Sequence, residues 1–573
     1  MTIIDLDDLS FEHNQELNKI AVEIREDYNN LVESVSAEHI GNLNWIVGSI
    51  ASRNKYYSPL FIRCCRVAFI QKLIAQSTVI DKVKLADRQL ANIIRDLFIT
   101  NGCQTKVSCT ERTFHRVWRL FRPYRQYLVA LFILIIRLLG KSKNGTSKRV
   151  GDMPITLVDT FVLNNGSADE GSINNGSYKD RYYPGLMDHL TDDEKKNIYY
   201  LPTIVGFNNP LKAFKLIRGA NAPFLIHDDF LNISDYYFAL KQPFKLLAIK
   251  ISPAVFRGVD VSSLLKEEMV NHCSDFISIL GLLYYRFAYR LNIKGIKVRL
   301  LVEWYENQVI DRGMIVGFHQ FHKKTKVIGY QGYVISKNLH LYVYPNESEY
   351  RSKAVPDVVY VVGEGLKDDL HEFCKDVVVE VGPAFRFNKL WRERVYKPDP
   401  NFFTVLIGLP IGLDDSTYIL KLLTNTLKKF KGTNYQFWIK PHPTYGPESI
   451  KALLPGKWPK EFIFQKGDFH EVIERSNLLV SNASSVSLEA LAKGVPTIIV
   501  APQNGVVQNP IPEAISNDAW SIVYNSIELE NEIMRYKEFT TVHEDFFDQL
   551  SLDVRRNYFN QVSRKNTLAF LEI

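Results

Sequence analysis

What this chain of 573 residues does without narrows the reading at once. Cysteine is scarce. Cys64, Cys65, Cys103, Cys109, Cys273 and Cys374 include no C-x-x-C pair, so a disulfide framework is not expected and reduced thiols of a cytoplasmic protein are the simple reading. A net charge of +7 over this length is too dilute for a nucleic-acid-binding face, though it suits anionic lipid or anionic substrates. Met1 to Ser10 is acidic rather than basic-then-apolar, which predicts no secretory leader. There is no G-x-G-x-x-G followed by an acidic residue and no Walker loop. The clearest D-x-D, Asp5-Leu6-Asp7, stands at the extreme N-terminus, and His319, Gln320 and His322 have no carboxylate partner at metal spacing. Chemistry without a metal or a cofactor is therefore expected.

What is present is ordinary for a folded protein: 46% hydrophobic and 23% charged residues, with 34 Phe and 29 Tyr to fill a large interior. The length exceeds what one core holds, so two large domains with an appendage are predicted. Up to about residue 110 the apolar spacing is helical, as in Leu17 to Val35 and Leu60 to Leu73. Residues 117–143 then carry the apolar run Tyr127 to Ile136, interrupted at Arg137. Arg119, Arg122 and Arg125 precede it, and Lys141 and Lys143 follow. A membrane span needs roughly 20 apolar residues, and this run is shorter. Its basic flanks, with Trp118, Tyr124 and Tyr127, suit a helix lying on an anionic membrane surface; a helix packed on the next domain is the alternative. Residues 141–151 read as a linker.

From Pro154 the pattern becomes strand–loop–helix. Ile155 to Val158, Lys245 to Ile251, Lys297 to Val302, Val327 to Tyr330 and Val358 to Val362 read as strands, with a helix over Phe276 to Tyr289. After a proline-bearing link near 391–401, a second series runs through Phe403 to Ile407, Tyr435 to Ile439, Phe462 to Phe464, Leu478 to Val480 and Thr497 to Val500. Alternation of this kind predicts parallel, doubly wound sheets.

Two motifs follow strands of the second series. In Lys440-Pro441-His442-Pro443 the flanking prolines stiffen the turn that presents an imidazole. In Ser481-Asn482-Ala483-Ser484-Ser485 a strand end leads into a helix that carries Glu489 one turn on, placed to hold a ribose or base. A turn histidine and a helix-starting serine are each common structural features. Together, at neighbouring strand ends, the imidazole, the hydroxyls of Ser484 and Ser485, and a positive helix end describe a pocket for a phosphate leaving group. Transfer to a hydroxyl also needs a base. Leu300 to Gln308 contains Glu303 and Glu306 around Trp304-Tyr305, and Asp159 ends another strand. Asp180, Arg181 and Tyr182 offer acceptor contacts, and Gln331, at a further strand end, lines the cleft.

Lys440-Pro441-His442-Pro443 with Ser484-Ser485 resembles the paired His-Pro and Ser-Ser motifs of bacterial GT-B glycosyltransferases that use CMP-sugars, the sialyltransferases and Kdo transferases. Asp180 to Gly185 and Glu303 to Gln308 are similar to stretches of bacterial capsule and surface-carbohydrate proteins, and the likeness covers roughly residues 150–525. The resemblance implies an α/β, GT-B-like fold: two Rossmann-like domains facing a cleft, with an α-helical N-terminal extension. On this basis residues 1–150 form the helical region, 151–395 the acceptor domain, and 396–573 the nucleotide-binding domain with C-terminal helices. It further implies a nucleotide-sugar donor, favouring CMP, with Lys440, His442, Ser484, Ser485 and Glu489 around it, and a lipid-linked glycan acceptor activated by Glu303, Glu306 or Asp159. CDP-alditol phosphotransferases share similar motifs, and a non-catalytic assembly subunit of the same fold is the rival from another class.

Overall fold

The computed structural model describes the chain apart from residues 1, 112, 143–149, 164–172, 175, 206, 208, 338, 393–395 and 483, and apart from the side chains of 113–116 and 544. Most of the linker expected at 141–151, the centre of the link at 391–401 and Ala483 of the serine motif lie outside the described residues.

The N-terminal region is not wholly helical, as its apolar spacing predicted. β1 (Ile3–Asp5), β2 (Lys82–Leu85) and β3 (Lys106–Cys109) form a small parallel sheet between helices Phe11–Glu23, Leu60–Ala75 and Arg88–Thr100. Strands of three or four residues leave too short a period to read from sequence. Asp87 caps the helix it precedes by accepting the Leu90 N–H at 3.0 Å.

The first large sheet contains β4 (Ile155–Leu163), β7 (Ile198–Val205), β10 (Val298–Trp304), β11 (Lys326–Gln331), β12 (Val358–Val361) and β13 (Val379–Val381), in the order β13-β12-β11-β10-β4-β7. Every pairing in it is parallel. The strands are mostly apolar because helices cover both faces, with Asp159 on β4 and Glu303 on β10 as buried exceptions. Two antiparallel hairpins, β5 (Ile173–Asn174) with β6 (Ser177–Tyr178) and β8 (Val255–Phe256) with β9 (Val259–Asp260), stand outside it. The chain builds outward from β4 to β7, then returns to the other side of β4 with β10, so the switch in direction falls between β4 and β10. Helices Phe276–Ile293 and Val309–Phe321 cross at two glycines: a Cβ on Gly313 would lie 2.0 Å from the Gly281 carbonyl oxygen. The strand expected over Lys245 to Ile251 is instead part of helix Gln242–Leu247, which Pro243 opens in its first turn.

The second large sheet holds β14 (Phe403–Gly408), β15 (Tyr435–Lys440), β16 (Phe462–Phe464), β17 (Leu478–Ser481), β18 (Thr497–Val500) and β19 (Trp520–Val523). Their order, β16-β15-β14-β17-β18-β19, is all-parallel and is the doubly wound order of a Rossmann domain. The expectation of two Rossmann-like domains is met; its switch point lies between β14 and β17.

Both ends of the chain tie these domains together, which the division at 396–573 did not foresee. Helix Glu544–Tyr558 and helix Arg564–Leu571 return to the first domain, where Asn560 pairs with the backbone of Val362 and Ala384 and Arg299 binds the last carbonyls. At the N-terminus, Asn14 and Asn18 hydrogen-bond the loop after β18 through Pro502, Gly505 and Val507. A little further on, Arg53 and Arg312 share the buried carboxylate of Glu349, at 2.9 and 2.6 Å. One continuous apolar core accordingly runs from the N-terminal helices through the first domain to the C-terminal helices and the adjoining face of the second domain, while the other face of the second sheet, from β14 to β19, encloses another.

Candidate functional site

His442 and the Ser484-Ser485 pair stand on loops at the carboxyl ends of β15 and β17, the two neighbours of β14. With strands spaced about 4.8 Å apart, those loops leave the sheet roughly 10 Å from each other, across its switch point. His442 is half-buried. Its Nδ1 accepts the Thr444 N–H at 3.2 Å and lies 2.9 Å from the Thr444 hydroxyl, so the neutral ring carries its proton on Nε2. The ring is thus set as a donor. Lys440 turns aside: Nζ donates to the Gly467 carbonyl at 2.5 Å, and burial lowers its pKa.

The serine turn differs from its sequence reading in two respects. Helix Val486–Leu491 has only six residues, and Ser484 and Ser485 themselves take up its first N–H groups through Ser484 Oγ and the two carbonyls. An anion bound between these loops would therefore meet hydroxyls and an imidazole more than a helix dipole. Glu489 is occupied as well. It accepts the Ser485 hydroxyl at 2.9 Å and faces His470 Nε2 at 3.5 Å, which orients Ser485 rather than leaving the carboxylate for a ribose.

On the first domain, carboxylates gather at the other switch point. Val302 is in register with Val158, which sets the next residues, Glu303 and Asp159, side by side in the sheet interior. Both are buried, and burial first, then the charge of Asp311 on Asp159 and the charges of Asp159 and Asp311 on Glu303, holds their carboxyl groups well above the usual range. Glu303 Oε2 has no hydrogen-bond partner among the described residues, whereas Asp159 has the Thr203 hydroxyl at 3.4 Å. The pair is enclosed, so neither member is placed to take a proton from an acceptor. Glu306 is different. It lies beyond the strand end, half-exposed, held by Trp304 Nε1 at 2.9 Å and by the Gln308 amide at 2.5 Å.

Beneath it is Asp311, which the sequence reading missed. Its Oδ2 accepts the N–H groups of Glu306 and Gln308 at 3.0 and 2.9 Å, while burial raises its pKa to about 8. The Gln308-x-x-Asp311 spacing of a capping box was the signal available for it. The turn is completed by Asn307 in the left-handed region at φ 53°.

The residues expected to bind acceptor divide in two. Asp180 Oδ1 accepts the N–H groups of Tyr182 and Tyr183 at 2.8 and 3.0 Å and the Thr160 hydroxyl at 3.3 Å, so this carboxylate shapes its own loop. Gln331 is buried, donating to the Val343 carbonyl at 3.1 Å, and belongs to the wall. Arg181 and Tyr182 stay partly exposed, with the Tyr182 ring edge-on to Trp304 at 4.6 Å.

The sequence reading also left the N-terminal region out of the site. Lys55-Tyr56-Tyr57, in the loop before helix Leu60–Ala75, reaches both domains. Tyr56, largely exposed, meets His340 at 3.4 Å and feels the charge of Glu306; burial lowers Lys55 to about 8, partly offset by Asp415 of the helix that follows β14. The loops after β10 and after β14 therefore approach one shared tripeptide. The carboxyl ends of the two sheets face a common seam.

No protein family and no curated protein matches the sequence. Among solved structures, the chain is similar to the calicheamicin glycosyltransferase CalG4 (12% identity, TM-score 0.41, 73% of this chain and 98% of that one). It is likewise similar to the UDP-GlcNAc 2-epimerase from Neisseria meningitidis bound to UDP-GlcNAc (11% identity, TM-score 0.39, 73% and 99%). MurG from Acinetobacter baumannii gives 13% identity and a TM-score of 0.35, covering 73% and 99%. Likeness at this level assigns no residue and no substrate; the description of the site rests on its own geometry.

Proposed function

We propose that the protein is a metal-independent GT-B glycosyltransferase of bacterial surface-polysaccharide biosynthesis (capsule, O-antigen or lipooligosaccharide). It moves a sugar from a nucleotide donor, a CMP-sugar by preference, to a hydroxyl of a lipid-linked glycan on the cytoplasmic side of the membrane. The observation that carries this reading is the placement of His442 and Ser484-Ser485 on either side of β14 at a Rossmann switch point, with Glu306 on the domain opposite.

The chemistry follows from the residues. Glu306 accepts the acceptor hydroxyl's proton as that oxygen attacks the anomeric carbon. The bond from that carbon to the donor phosphate oxygen breaks, and the electron pair stays on the phosphate. His442 Nε2–H and the Ser484 hydroxyl meet the charge as it grows, where preorganised donors count most, and Ser485 joins them by turning its O–H from Glu489 to the phosphate. Arg181 and Tyr182 line the acceptor side. The buried Asp159–Glu303 pair acts through the position of its strands, not by touching the acceptor.

The test is transfer from CMP-Kdo or CMP-sialic acid to acceptor glycans, joined to thermal stabilisation by CMP, CDP and UDP, since a ligand raises stability in proportion to its occupancy. Transfer with the largest shift from CMP supports the reading. The largest shift from CDP or UDP moves the donor to a CDP-alditol or a UDP-sugar. No shift from any nucleotide removes the enzymatic assignment in favour of an assembly subunit.

A further inference from the structure

Helix Thr113–Gly140 lies along the outside of the first Rossmann domain, and its apolar side faces outward. Leu120, Phe121, Tyr124, Leu128, Phe132 and Leu139 recur at helical spacing and are all exposed, Leu128 and Phe132 each to 64%. Between Val117 and Gly140 only Ala130, Leu134 and Arg137 are buried. A water-facing helix ordinarily presents the opposite arrangement.

The rotation is fixed from behind. Arg137, the residue that breaks the apolar run, points inward: its Nε and Nη2 bind Asp228 at 3.0 and 2.6 Å, and Tyr236 donates to the same carboxylate at 2.7 Å. Ala130 and Leu134 are buried on that inner side, and Gln126 donates to Asp275 at 2.5 Å. Gly140 lets the helix end meet helix Pro210–Arg218, for a Cβ there would lie 2.6 Å from the Phe214 ring. A helix bound to its own domain along one side cannot cross a bilayer, but it can lie on one.

The apolar face continues onto a second element absent from the sequence reading. Phe244 packs on Tyr127, with ring centroids 6.3 Å apart, and is itself 69% exposed; Ile233, Tyr237 and Leu247 are exposed beside it on helices Ile233–Leu240 and Gln242–Leu247. Arg119 is paired with Glu111 and Glu267, and the exposed charge that these two segments themselves carry is basic. Residues 113–151 contain no Asp or Glu, and the acid of the second element, Asp235, is buried between Arg286 and Arg290. Arg125, Lys241 and Lys245 are exposed around the apolar side chains, with Lys241 Nζ 4.1 Å above the Tyr237 ring.

We infer that helix 113–140 and helices 233–247 together form one docking face for the surface of an anionic lipid bilayer, lying in its headgroup layer without spanning it. Apolar side chains enter the acyl boundary, the aromatic rings sit at headgroup depth, and the cations meet lipid phosphates. The inference does not depend on the donor nucleotide or on catalysis.

Sedimentation of the full-length protein with vesicles tests it, comparing pure phosphatidylcholine with a mixture holding about 30% phosphatidylglycerol. The protein is expected to pellet with the anionic vesicles, remain in solution with the neutral ones, and be released by about 0.5 M salt. The double substitution Leu128→Asp with Phe132→Asp is expected to lower binding at least about tenfold. Lys241→Glu with Lys245→Glu touches only exposed positions and is expected to do likewise with an unchanged unfolding midpoint, which keeps the test open if the first variant misfolds. Equal binding to both vesicles, retention in high salt, undiminished binding by a folded Lys241→Glu/Lys245→Glu variant, or a stable dimer that Leu128→Asp dissolves would each overturn the inference.

Discussion

Glu306→Gln separates chemistry from architecture at this site. Glu306 accepts a hydrogen bond from Trp304 Nε1 at 2.9 Å and another from the Gln308 amide at 2.5 Å. A glutamine keeps the Trp304 bond through its carbonyl oxygen. Gln308 can rotate its own amide to present oxygen to the new NH2 group, so the wall around Trp304 stays intact and stability should change by under about 1 kcal/mol. The glutamine cannot accept a proton. Loss of a general base typically costs about 10²–10⁴ in rate, or roughly 3–5 kcal/mol of transition-state stabilisation. Initial rates of sugar transfer, with an unfolding midpoint measured in parallel, decide the matter. The reasoning expects kcat to fall by that factor, KM for the donor to hold, and the midpoint to remain. Glu303→Gln, in the enclosed pair, should reduce kcat by no more than about tenfold. A Glu306→Gln enzyme within about threefold of wild type refutes the assignment.

Further expectations concern the fold and the pocket. Glu349→Gln leaves the Arg53 and Arg312 guanidinium groups buried without their shared anion and should cost about 3–5 kcal/mol in denaturant unfolding; a loss below about 1 kcal/mol would mean that water already reaches the cluster. Asp311 holds its proton up to about pH 8 in the folded chain but ionises near its ordinary 3.8 when unfolded. Its contribution to stability is therefore whole below about pH 4 and declines until about pH 8, and Asp311→Asn should flatten the stability profile across that window. An unchanged slope would show that other groups set it. Ser485→Ala removes a hydroxyl from the proposed phosphate pocket and leaves Glu489 with His470 as its remaining partner at 3.5 Å, so nucleotide affinity should fall about tenfold, while unaltered affinity would place the phosphate elsewhere.

Which parts of this arrangement could be read from sequence follows from where the forces act. Most of the parallel strands were visible because burial on both faces leaves continuous apolar runs, as in Leu300 to Val302 and Leu478 to Val480, whereas the edge strands β7, β13 and β19 were not read. His442 was visible because prolines on both sides fix a turn locally. Lys245 to Ile251 was taken for a strand because the last three residues of helix Gln242–Leu247 and the apolar turn that follows are too short for a helical period to show, and Leu247 is an exposed apolar group that mimics a buried one. Other features depend on contacts between distant residues. The place of Lys55 and Tyr56 in the seam, the inward turn of Arg137 toward Asp228, and the Ser485–Glu489 bond that removes Glu489 from the ligand all arise from tertiary packing. The carboxylates show the same limit. Sequence placed Asp159, Glu303 and Glu306 at strand ends, but β4 runs on past Asp159 to Leu163 and β10 past Glu303 to Trp304, so Glu306 alone of the three lies beyond its strand and meets solvent.

The central claim is that an imidazole and two hydroxyls flanking β14 hold the phosphate of a leaving nucleotide. Calorimetric titration of CMP into the wild-type chain and into His442→Ala measures it directly. The account predicts binding to the wild type and an affinity at least about tenfold weaker in the variant, since a charge-assisted hydrogen bond contributes about 1.5–3 kcal/mol. Equal affinity in both proteins, or no binding to either, would contradict it.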